Sequence, residues 1–179
     1  MPKTTFAGHA LHPQLINAPA ALLPFSLVLD LMHAATSKPA YAEAAYYSMV
    51  GGYVGGLAAA TAGAGDYFAI PSESHTKRIA NIHASLNLSL LGLYSLNLLL
   101  RRGKTPPTGT VPVALSTAGT VGLLVSAWYG GHMVYSHGMR VKGVSPVAEA
   151  PELKLPGDKK LEEAFSRLEQ AAPEKGPQG

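Results

Sequence analysis

The chain of 179 residues has no cysteine. That excludes disulfides, thiolate catalysis, cysteine-held iron–sulfur clusters and covalently attached c-type haem. Charge is scarce as well. Asp, Glu, Lys and Arg make up 14% of the chain, against roughly a quarter in soluble domains. The net charge of +3 is dispersed, with no block of Lys and Arg to serve as a nucleic-acid footprint. More than half of the acidic residues fall in the last 40 positions. What precedes them is a series of apolar runs, which reads as one integral membrane domain followed by a polar tail.

The first run, Leu15 to Leu31, is apolar except for Asn17, Ser26 and Asp30. It follows a short arm ending in His12-Pro13, where Pro13 suits a first helical position. Pro19 and Pro24 lie inside the run and predict a kink near Ala20. The arm carries one Lys and the run is long for a signal peptide, so a retained helix is expected. His33 closes the run about twenty residues beyond His12, or roughly 30 Å of helix, which places it at the opposite membrane face.

The second span, Tyr46 to Phe68, carries glycine pairs four apart, Gly51 with Gly55 and Gly52 with Gly56. A face without side chains serves close helix packing or admits a flat cofactor. Asp66 and Tyr67 close this span, and a polar connection runs from Ile70 to Ala80. The third span, near Ile79 to Leu100, has His83 and Asn87 four residues apart on one inward face. Arg101, Arg102 and Lys104 end it, and the fourth span runs from about Val111 to Tyr135.

Short connections make neighbouring helices antiparallel. One membrane face then collects His9, His12, Asp66, His75, His83, His132 and His137, leaving His33 alone on the other. His83 lies about one turn inside its helix start and His132 about one turn inside its helix end, so both reach a similar depth. His137 is five residues past His132, about 140° around an ideal helix, and shares its direction only if the helix unwinds before Gly138. A bland interfacial role for His132 and His137 competes with a ligand role. A weak internal duplication relates His12 to His83 and the end of span two to Tyr129-Gly130-Gly131-His132. Within reach of the spans, five basic residues on the His-rich side against four opposite favour cytoplasmic termini.

Gly8-His9-Ala10-Leu11-His12-Pro13, Asp66-Tyr67, His83 to Asn87 and Gly130 to Gly138 together resemble the bacterial DUF2231 predicted membrane proteins, over roughly residues 6–143. That family usually has Pro after the first His, and a further His before Phe-Pro. Here those places read Ala10 and Asn17-Ala18-Pro19. The resemblance implies, by association with Rieske-type and other redox proteins, a part in membrane electron transfer.

The expected fold is all-α: a four-helix up-and-down transmembrane bundle over residues 1–143. A polar tail, 144–179, carries an amphipathic helix over 158–171. Pro146, Pro151 and Pro156 keep its linker extended, Asp158 caps the helix and Pro173 ends it. Leu161, Ala164, Phe165 and Leu168 form its apolar stripe.

Three functions fit. The first is an electron carrier with b-type haem held by His83 and His132, with His12 and His137 next in order. The second is a zinc, iron or copper site drawn from His12, Asp66, His83, His132 and His137, with Asp66 orienting an imidazole. The third is a cofactor-free subunit of a membrane complex. None of the three requires enzymatic chemistry. The partners implied are the lipid bilayer of a bacterial inner membrane, redox or complex proteins docking at the His-rich face or the tail helix, and further copies of the chain.

Overall fold

A computed structural model describes residues 3–154 and 157–171. Most of the protein is helical. The expected all-α fold is corrected by a small sheet at the His-rich end. Strands β1 (Lys3–Phe6) and β2 (His9–Ala10) form an antiparallel hairpin through Ala7 and Gly8, both at positive φ. Strand β3 (Glu152–Lys154) pairs in parallel with β1, Lys3 opposite Glu152 and Thr5 opposite Lys154. The residues after Val144 are therefore not a free extended linker. Val147 is buried, and the Lys3 ammonium donates to the Val147 and Ala148 carbonyls at 3.0 and 2.6 Å.

Helix α1 (Leu11–Leu15) leads into α2 (Asn17–Thr36) with a break at Ile16, not the expected kink near Ala20. Pro19 explains the earlier position. It has no N–H for the Leu15 carbonyl and its ring crowds that group, so the disturbance falls a turn before the proline. Pro24 stays inside α2. Helix α3 (Pro39–Ala69) begins with proline in its first turn, several residues before the expected Tyr46. Helix α4 (His75–Arg101) begins four residues before Ile79, because Ser74 Oγ accepts the Lys77 N–H at 3.1 Å. In both cases the helix starts in polar sequence, which an apolar window does not mark. Helix α5 (Thr110–Tyr135) agrees with the fourth expected span.

Helix α2 packs on α3, α4 on α5, α3 on α4 and α2 on α5. The contacts rely on small residues. A Cβ at Gly55 would stand 2.6 Å from Ala18 Cβ, and one at Gly119 would stand 2.7 Å from the Tyr94 ring. Ala42, Ala45, Ala59, Ala62, Ser26, Ser116 and Ser126 are buried, whereas Phe25, Leu88, Leu99, Val121 and Leu124 face outward. A soluble protein does the reverse, since an apolar exterior of this extent in water drives association. Three helical stretches, Leu11–Thr36, His75–Arg101 and Thr110–Tyr135, are long and apolar enough to cross a membrane.

Helix α6 (Asp158–Ala171) begins at the expected residue. Asp158 is not the expected cap of its own helix. Its carboxylate accepts the backbone N–H of Ala7, which ties α6 to the β1–β2 turn. Pro156 and Pro173 lie outside the described residues.

Candidate functional site: two histidines on matched helix pairs

His12, near the start of α1, turns toward α3. Its Nδ1 lies 2.7 Å from the Ala59 carbonyl. His83, two turns into α4, turns toward α5, with Nδ1 2.9 Å from the Ser126 carbonyl. A carbonyl accepts only, so each Nδ1 carries a proton. Four residues past each carbonyl stands a glycine against the same ring. A Cβ at Gly63 would lie 2.9 Å from His12 Nδ1, and one at Gly130 would lie 3.1 Å from His83 Cε1. The histidine–carbonyl–glycine device thus occurs twice, once per helix pair. This gives the weak internal duplication its physical content, with Gly63 matching Gly130.

The two devices face each other. The His12 and His83 ring centroids are 6.3 Å apart, with the planes at 83°. The devices differ at one point. The Asn87 amide nitrogen lies 3.2 Å from His83 Nε2 and 2.8 Å from both the His83 carbonyl and Ser126 Oγ. The position four residues after His12 is Ile16, which offers no such group.

Depth along the bundle paired His83 with His132 in the sequence. The ring beside His83 is His12 instead. His132 stacks on Trp128 at 5.3 Å and meets His137 edge-on at 5.2 Å. His137 in turn stacks on His75 at 5.2 Å and has Nδ1 3.3 Å from Thr76 Oγ1. The unwinding that this requires is present: α5 ends at Tyr135, two residues before His137. His9 bonds the Ala7 carbonyl at the surface, and His33 bonds the Lys38 carbonyl at the far end.

Asp66 is buried, as expected, but its counter-ion is a guanidinium and not an imidazole. Arg140 Nε lies 3.7 Å from Asp66 Oδ1. Arg140 also donates to the Thr4 carbonyl at 2.9 Å and to Thr5 Oγ1 at 3.0 Å, so one side chain joins α3, β1 and the segment after α5. Among the described residues, no three His, Asp or Glu side chains form a group able to hold a metal ion.

At the opposite end lies a polar network that the sequence reading did not assemble. Asp30 and Arg101 are fully buried and paired, with Asn97, Ser116 and the Pro107 carbonyl completing the guanidinium's partners. The available signal was Asp30 itself, since a carboxylate in an apolar run demands a partner.

Helices with an apolar exterior, small residues at their contacts and charges buried in pairs define an integral membrane protein. A family model described as predicted membrane protein, DUF2231, matches residues 8–143. The chain belongs to that family. No curated protein and no solved structure matches it.

Proposed function

We propose that this membrane protein is an electron carrier that holds one b-type haem between His12 and His83. The observation that carries the reading is the separation of the two rings. Their centroids stand 6.3 Å apart across the two helix pairs, so one group held between them would meet both imidazoles. The donor set fits the group. Both imidazoles have Nδ1 anchored on a carbonyl; Nε2 of His12 has no such contact, and Nε2 of His83 would coordinate once the Asn87 amide turns away. Gly63 and Gly130 set each ring flush against backbone, which fixes its orientation. Bound haem would supply a one-electron couple, and two protein ligands would leave no position for substrate. His132 and His137 form an outer pair nearer the helix ends, where a redox partner would dock.

The same reading takes α3 across the bilayer beside the three apolar helices. Helix α3 runs for 31 residues and packs on both α2 and α4. The result is a four-crossing up-and-down bundle with both termini on one side, in a bacterial inner membrane. Asn87 favours a second reading, a cofactor-free subunit of a membrane complex, because its amide already occupies His83 Nε2.

The test is haem and metal quantified in purified single His→Ala variants. Loss in His12→Ala and His83→Ala, with retention in His33→Ala and His75→Ala, is expected. Retention in both of the first two, from a wild-type protein that carries haem, overturns the site. A wild-type protein with neither a Soret band nor bound metal overturns the carrier and leaves the subunit.

A further inference from the structure

We infer that α6 lies in the headgroup region of the same bilayer and binds anionic lipid. Its polar anchor places it there. Asp158 holds the Ala7 N–H, Glu162 packs on Gly8 and pairs with Lys154, and β3 pairs with β1. These contacts fix α6 beside the residues that lead directly into α1. Phe68, Trp128 and Tyr135 are exposed at this same end of the helices. Exposed aromatic side chains near helix ends mark the level of the membrane interface.

Beside the anchor the helix carries an apolar stripe. Leu161, Phe165 and Leu168 are 42%, 49% and 66% exposed. At about 100° per residue they fall within about 60° of arc, next to Asp158 and Glu162 on one side. Lys160 and Arg167 lie together beyond the other edge of the stripe. An apolar stripe with carboxylates tied to the anchor along one edge and cations beyond the other, on a helix held at interface level, matches a surface that buries its stripe at the acyl boundary and turns its cationic edge to lipid phosphates.

The absence of cysteine makes the test direct. Single cysteines replace Leu161, Phe165, Leu168, Glu163 or Ser166 in the full chain, carry a fluorophore, and enter nanodiscs at one chain per disc. Lipid-borne quencher should dim the labels at 161, 165 and 168 and spare those at 163 and 166. The contrast should strengthen in discs with phosphatidylglycerol and weaken in a Lys160→Gln, Arg167→Gln background. Equal response at all five positions overturns the inference. So does a stripe that becomes shielded only when two chains share a disc, or only when a soluble protein is added. Far-UV circular dichroism of each variant shows that α6 is formed.

Discussion

Arg101 donates through its two terminal nitrogens to the two oxygens of Asp30, at 2.7 and 2.6 Å, with both side chains fully buried. The pair joins α2 to α4 at the end of the bundle remote from the histidines. Removing one member strands a charge in an apolar setting, so Arg101→Met should cost about 3–5 kcal/mol. Asp30→Leu combined with Arg101→Met should recover much of that loss. Equilibrium unfolding in detergent checks both. A double variant no better than the single would show that Asn97 and Ser116, not the charge pair, carry the stability.

Asn87 sets the state of His83. Asn87→Ala frees His83 Nε2 and leaves Ser126 Oγ without one donor, which should lower the stability of the cofactor-free protein by about 1 kcal/mol. Haem titration should show equal or tighter binding in the variant, because the amide no longer competes for the nitrogen. A variant that takes up less haem than wild type would make Asn87 a supporting residue and not a competitor.

Arg140 faces two jobs, and its substitution should reveal both. Arg140→Gln leaves Asp66 buried without its counter-ion and releases the Thr4 carbonyl, at an expected cost of about 3 kcal/mol. Limited proteolysis should then cut near Thr4 and Thr5, which stay protected in Asp66→Asn. Equal protease sensitivity in the two variants would mean that the ion pair alone holds β1.

Topology yields to labelling, again because no native thiol interferes. Cysteines at Ser37 and Thr105 should react with a membrane-impermeant reagent from one side, and cysteines at Ser74 and Ser145 from the other. Reaction of all four from one side would remove the crossing assigned to α3.

The elements that read well in the sequence are those with local signals. The bounds of α5 and the start of α6 followed from apolar pattern and flanking residues. The collection of six histidines at one end followed from helix length alone. The choice of His132 as the partner of His83 shows where such reasoning stops. Position along a helix gives height, but the direction a ring faces depends on how the helices are rotated against each other. His83 turns toward Ser126 and so comes to face His12. Arg101 was read with Arg102 and Lys104 as a charged helix end. Its side chain turns inward because Asp30 waits there, a fact that neither position states alone. The sheet left no trace, since Lys3–Thr5 and Glu152–Lys154 are short, mostly polar segments whose pairing is entirely non-local.

That pairing orders events during synthesis. β1 emerges from the ribosome first, yet the edge it completes lies beyond all four long helices. Until Glu152–Lys154 is made, Lys3 has neither the Val147 and Ala148 carbonyls nor a strand beside it. The helices can insert as they appear, but the N-terminal strand must wait. Closure of the sheet is therefore a check on completeness: a chain stopped after Gly143 keeps its four long helices and the Arg140 contacts to β1, while Lys3 loses both its carbonyls and its neighbouring strand.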